Sequence, residues 1–399
     1  MKYDLVFEGG GAKGMAFVGA VAELLAAGHS HERLLGTSAG AITATRLAAG
    51  YTVDEMNAAL MEQEDGRPVF AGFMGQPDEF TDAELDKGGT LALLKNLDIA
   101  LLPRFLEDRM DRKVVQALAR GGKSRHLVAL VERGGWFAAR RFVTWLSAKL
   151  DAARTDGTPR NYSKMTLAQF HAATGVDLSM VASDTTDSRL LVLNHRTAPD
   201  CPVVYAVRMS MSIPLVWDEV TWRAEWGPYR GRDIAGHGVV DGGMLSNFPL
   251  ELFISGAPQV TKVMGPKQDT PVLGLMIDES MEVPGAGSGA AAKRPGALAE
   301  FALVTRIGRL VDTATTAHDK RVIDEHGELI VRLPAKGYGT TEFDMSEARR
   351  NALVEAARQA MQGWIAAPPR AIQPPGPAAA AMAARAVRRA DSVAIDLLD

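Results

Sequence analysis

The first 50 residues hold two successive units of short apolar strand, glycine-bearing turn and apolar-periodic helix. Tyr3 to Phe7 is a β-branched and aromatic run, EGGGAKG follows at once, and GMAFVGAVAELLAAG repeats apolar residues at helical spacing. His31 to Leu35 forms a brief second strand, after which GTSAG opens a second helix, AGAITATRLAAGY, ended by Gly50. Strands that leave directly into helices must cross over to pair again. The chain is therefore committed to a mostly parallel sheet with helices on its faces.

That sheet is completed late in the chain. From about Thr52 to Thr174 the sequence is mostly helical and polar, with breaks at glycine pairs, and it reads as an insertion or cap over the sheet. Strand-like runs return at DLSMVAS, RLLVLN, VVYAVRMS, GHGVVDGG and PVLGLMID. The glycine-rich stretch 284–297 is expected to be a mobile loop, and the Ala/Pro-rich stretch 367–399 a flexible tail that need not pack. Residues 1–366 then form one catalytic domain, with 52–174 as its helical insertion.

Charge and cysteine content narrow the function. A formal charge of −4 over 399 residues argues against a dedicated nucleic-acid binder, whose domain is normally clearly basic. The single cysteine, Cys201, excludes an internal disulfide, suits a reducing compartment and reads as a small core residue. No apolar leader follows Lys2, and no run of about 18 apolar residues is present. A cytoplasmic location is expected, and export by a route without a cleavable signal is compatible with it.

Acyl transfer needs a nucleophile, a base within hydrogen-bond reach, and donors aimed at the oxygen that becomes negative. In LLGTSAG, Gly36 and Gly40 permit the crowded backbone of a strand-to-helix elbow around Ser38, and the Ala39 amide at the helix start is free to face an oxyanion. Gly9, Gly10 and Gly11 can converge unpaired amides on the same anion; Lys13 adds positive charge and Gly14 completes the loop. The same text, G-x-G-x-x-G, fits a dinucleotide fingerprint, but that reading requires an acidic residue closing strand two, where GTSAG stands instead. HGVVDGGMLSNFPLE reads as a strand ending in Asp241, two glycines (Gly242 and Gly243), then an Asn-capped helix with Pro249 in its first turn. Asp241 would then stand at the carboxyl edge of the sheet, with a plain loop as the rival reading. A Ser-His-Asp esterase would need a histidine after the aspartate; His318 and His326 read as surface residues and His237 as a local structural one.

Taken together, GGGAKG at 9–14, GTSAG at 36–40 and DGG at 241–243, in this order, closely resemble the patatin-like phospholipase family. RMSMSIPLVWDEV resembles the family's serine-containing block, with Met209 where alanine is frequent, and NFP at 247–249 matches the residues usual after the family's aspartate. The likeness runs from Tyr3 to Ile277, and GTTEFDMSEARRNALVEAARQAM resembles the family's closing segment. The resemblance implies a three-layer α/β/α fold and a serine-aspartate dyad without histidine, Ser38 as nucleophile and Asp241 as base. It also implies lipid ester hydrolysis without metal or organic cofactor. Within 104–149, Trp136, Phe137, Phe142 and Trp145 alternate with basic residues. Two expectations stand side by side for this segment: peripheral docking on an anionic membrane, or an amphipathic helix packed on the sheet with its basic face solvated.

Overall fold

A computed structural model describes residues 1–95, 113–285, 326–367 and 377–398. Its centre is an eight-stranded sheet. The first strands are β1 (Lys2–Phe7) and β2 (Ser30–Thr37), followed by the two-residue pair β3 (Gln63–Glu64) and β4 (Arg67–Pro68), and by β5 (Gly135–Phe137). Then come β6 (Asp177–Asp184), β7 (Arg189–Leu193), β8 (Leu215–Trp217), β9 (Val220–Thr221), β10 (Gly238–Asp241), β11 (Val272–Asp278) and β12 (Ile330–Pro334). The order across the main sheet is β12-β11-β1-β2-β6-β10-β9, with β7 also paired to β6. The pairs from β12 through β6 are parallel, whereas the pairs β6–β7, β6–β10 and β10–β9 are antiparallel.

Successive strand residues feed opposite layers, as the pleat requires. Leu5 and Phe7 join one core with helix α1 (Ala16–Ala26), helix α2 (Ala39–Ala48) and the helix Glu347–Ala366, while Val6 between them joins a second core beneath the sheet. The architecture is thus the expected α/β/α sandwich. No helix among the described residues is long and apolar enough to cross a membrane.

Several local expectations need correction. VVYAVRMS is not a strand but the helix Val203–Ser210, almost wholly buried; a short apolar run does not reveal by its periodicity whether it is a buried strand or a buried helix. Asn247 caps no helix, because the helix Glu251–Ile254 starts after Leu250 and has no side-chain cap. The stretch 377–398 is a helix, not a loose tail, and Ala390, Ala394 and Leu398, four residues apart, sit in the second core. Asp391 anchors it, accepting hydrogen bonds from Ser255 Oγ at 2.6 Å and Gly256 N at 3.0 Å. Most of the expected loop at 284–297, and residues 104–112 of the basic segment, lie outside the described residues.

The aromatic segment faces inward. Trp136, Phe137, Phe142 and Trp145 are all buried, while Arg140 and Arg141 stay in solvent, paired with Asp78 and Glu64. The solvated-face reading therefore describes these residues, and insertion of Trp136 and Trp145 into lipid does not. Trp136→Ala should lower unfolding free energy by about 3–5 kcal/mol. Arg140→Glu with Arg141→Glu should stay within about 1 kcal/mol, as exposed pairs do. Denaturant titration of both variants checks this; a harmless Trp136→Ala would contradict the inward placement.

Candidate active site

The site arises from a sheet register. Val181 of β6 pairs with Thr37 of β2 on one edge and with Val192 of β7 on the other. The next residue, Ala182, pairs with Asp241 of β10 and with Leu191 of β7. Since β7 holds one edge throughout, β2 and β10 share the opposite edge and run toward each other along it. Their carboxyl ends meet one register apart, which brings Ser38, the residue after Thr37, against Asp241.

Ser38 sits at φ 53° and ψ −117°, a left-handed conformation rare for a residue with a side chain and of the kind that costs about 1–3 kcal/mol. Its flanking glycines are sterically required. A Cβ on Gly36 would lie 2.4 Å from the Gly40 carbonyl carbon, and one on Gly40 would lie 2.4 Å from the Phe7 carbonyl oxygen. Gly14 packs against Ala39 under the same constraint, which seats the glycine loop on the serine turn.

Asp241 is buried. Its Oδ1 accepts the Gly243 amide at 2.7 Å, while Oδ2 has no hydrogen-bond partner among the described residues. Burial pushes the carboxyl up to about 7, against the opposing pull of the nearby Ser38 hydroxyl and the Gly243 amide. A carboxylate tuned near neutrality can take and return a proton, which a solvated aspartate does poorly. Gly242 lets the turn approach β6, where a Cβ would meet the Val181 carbonyl oxygen at 2.5 Å.

The glycine loop divides its amides. Gly9 N donates to the Asn247 carbonyl at 3.0 Å, so this amide, expected to face an oxyanion, is already engaged. Ala12 N donates to the Thr340 carbonyl at 2.8 Å, and the Lys13 ammonium pairs with Glu279. The amides of Gly10, Gly11 and Ala39 donate to no group among the described residues. Gly11, Ser38 and Ala39 border one cleft of about 610 Å³, including its open mouth, walled by Phe70, Phe73, Phe142 and Trp145 of the insertion.

Sequence reasoning missed the clamps on this arrangement. Ser210 Oγ accepts the Ser38 amide at 3.0 Å and the Ser212 carbonyl accepts the Asp241 amide at 2.9 Å, so the RMSMSIP block holds both backbones. Asn247 Nδ2 donates to Glu8 Oε1 and to the Gly9 carbonyl, both at 3.1 Å, tying the glycine loop to the aspartate turn. Only the resemblance marked these segments, since the contacts to Ser38 and to the glycine loop span more than 170 residues of sequence. The histidines stay apart. His237 Nδ1 lies 2.9 Å from Asp184 Oδ2, at the end of β10 away from Asp241. His326 is buried, not at the surface, and precedes β12 at the sheet edge opposite the carboxyl ends. His318 lies outside the described residues.

The chain is similar to several known proteins. A curated protein of Bacillus subtilis, the uncharacterized YqhO, is 28% identical over 366 residues, covering 90% of this chain and 96% of its own. Among solved structures the chain is similar to VipD of Legionella pneumophila, at 16% identity and a TM-score of 0.44, covering 91% of this chain and 66% of that one. It is also similar to ExoU in the ExoU-SpcU complex of Pseudomonas aeruginosa, at 17% identity and a TM-score of 0.37, covering 91% of this chain and 51% of that one. The chain thus spans less than two thirds of either solved protein. A family model described as patatin-like phospholipase matches residues 5–254, and the chain belongs to that family.

Proposed function

We propose that the protein is a serine lipid acyl hydrolase of the phospholipase A type, with Ser38 as nucleophile and Asp241 as the residue that moves the proton. The observation that carries this reading is the head-on meeting of β2 and β10, which sets a buried carboxylate oxygen, without a hydrogen-bond partner among the described residues, beside a strained serine. The ester carbonyl would enter between Ser38 and the amides of Gly10, Gly11 and Ala39, with the acyl chain in the aromatic-walled cleft. Ser38 Oγ attacks the carbonyl carbon as Asp241 takes its proton, and the amides hold the tetrahedral oxyanion. Asp241 returns the proton to the departing alcohol. Water then repeats the sequence on acyl-Ser38, releasing the fatty acid. Each step uses groups of the chain and requires no metal or organic cofactor.

The rival readings have less support. No histidine lines the cleft among the described residues, and β2 ends in Thr37, followed by Ser38, with no acidic residue for a ribose. A fluorophosphonate probe should label Ser38 in the unaltered protein, and Ser38→Ala should abolish both labelling and release of fatty acid from phospholipid vesicles. Replacing His318 and His326 together by alanine should leave release near normal. Labelling that survives Ser38→Ala, or activity lost with the histidines, would point to a different nucleophile or a triad.

Asp241 adds a test through stability. The folded chain holds its proton between about pH 4 and 7, where the unfolded chain has lost it, so this contribution to stability is complete below about pH 4 and disappears as pH rises through 7. Asp241→Asn should therefore be inactive yet more stable than the unaltered protein above pH 7, by roughly 2–4 kcal/mol, with the gain vanishing toward pH 4. Hydrolysis by the unaltered protein should rise with pH to a plateau above about 7. Urea melts and initial rates across pH 4–9 read both. Full activity in Asp241→Asn would remove the dyad.

A further inference from the structure

The cleft beside Ser38 follows one face of α2. Ala39, Ile42, Thr43 and Arg46 line it in helical register, so this wall runs from the serine to the third turn, about 12 Å of helix rise. Leu60, Phe70 and Trp145, among its other walls, are hydrocarbon or aromatic.

Arg46 departs from that pattern. It is only 3% exposed, and although burial lowers its guanidinium to about 10, it is charged at neutral pH. Its Nη2 donates to the Glu55 carbonyl at 3.1 Å, and its Nε is buried without a partner among the described residues. Arg160 stands on the same ring, with its Cζ 4.0 Å from the Tyr51 centroid against 4.8 Å for Arg46. Arg160 is fully engaged: it donates to the carbonyls of Ala49, Gly50, Ala152 and Ala153 and to the Glu55 carboxylate. The other nearby carboxylate, Glu62, accepts from Trp145 and Lys149. Helix closure and ion pairing are thus supplied by Arg160 and Lys149. Arg46 keeps one hydrogen bond, to a neutral carbonyl; the fields of Glu55 and Glu62 and the Tyr51 ring support its charge but give its guanidinium no further acceptor among the described residues, a need that an entering acceptor would meet.

We infer that the cleft accepts acyl chains of roughly eight to ten carbons that end in a carboxylate, with Arg46 binding the far end while the ester lies at Ser38. An oxygen-bearing terminus meets donors there, whereas a methyl terminus of the same length leaves the guanidinium as poorly solvated as before. This selectivity rests on the reading of Ser38 as nucleophile for its kinetic form but not for its binding form.

The kinetic test compares the mono-para-nitrophenyl ester of nonanedioic acid with para-nitrophenyl nonanoate. The unaltered protein should prefer the former in kcat/KM by about tenfold or more, the scale of one charge-assisted hydrogen bond. Arg46→Met should abolish that preference, and Arg46→Lys should keep part of it. The binding test uses Ser38→Ala and calorimetry with monomethyl nonanedioate against methyl nonanoate; the acid should bind about tenfold tighter, and not in the variant that also carries Arg46→Met. Equal or inverse selectivity of the unaltered protein and equal binding to Ser38→Ala would overturn the inference, whether or not Arg46→Met folds. If neither ester is turned over but the binding preference appears, the hydrolase reading fails and the Arg46 site stands.

Discussion

The structure depends on one strand edge serving two strands. β2 arrives parallel to β6 and stops at Val181, and β10 arrives antiparallel and stops at Ala182, so the two chain ends can only turn away from the sheet at the same point. One turns into α2 through Ser38 and the other into the Gly242–Gly243 turn through Asp241. Side chains 203 positions apart in sequence are thereby set together by backbone hydrogen bonds, the most rigid element available. A one-residue slip of either strand would separate them and turn its core side chains to the wrong face.

This placement works against stability, and the surrounding contacts show how it is held. Ser38 occupies a strained backbone region, and Asp241 is a buried carboxyl with one oxygen lacking a hydrogen-bond partner among the described residues. Ser210 and Ser212 bond the two backbones, Asn247 fastens the glycine loop beneath them, and two layers of apolar side chains fix the sheet on both faces. The same dryness that destabilises the carboxylate raises its proton affinity toward neutrality, as the proposed role of base requires. The insertion contributes by supplying Phe70, Phe73, Phe142 and Trp145 to the cleft, whose rings meet edge-on or tilted at 5.2–5.4 Å around Phe73.

The residues that sequence made visible are those whose demands are local. An elbow needs Gly36 and Gly40 within two positions of Ser38, and a strand end followed by two glycines is apparent around Asp241. Long-range geometry was not readable in this way. Nothing in GGGAKG says that Gly9 spends its amide on Asn247 while Gly10 and Gly11 do not. VVYAVRMS, rich in β-branched residues, becomes a helix because burial on nearly every side outweighs local propensity. The alternation of aromatic and basic residues in 136–149 fits a membrane face as well as a core face, and only the packed fold distinguishes them. Alanine-rich composition hid the four-residue spacing that docks 390, 394 and 398.

The central claim is that sheet register creates a dry carboxyl at the serine. Infrared titration of the protonated-carboxyl stretch in Ser38→Ala, compared with Ser38→Ala carrying Asp241→Asn, reads that group directly without requiring turnover. A band present in the first protein and absent from the second, disappearing with a midpoint well above the ordinary carboxyl range of about 4 and near 7, is the expected result. If the two proteins titrate identically, with no carboxyl losing its proton above about pH 5, then Asp241 is solvated and the strand ends do not make a base.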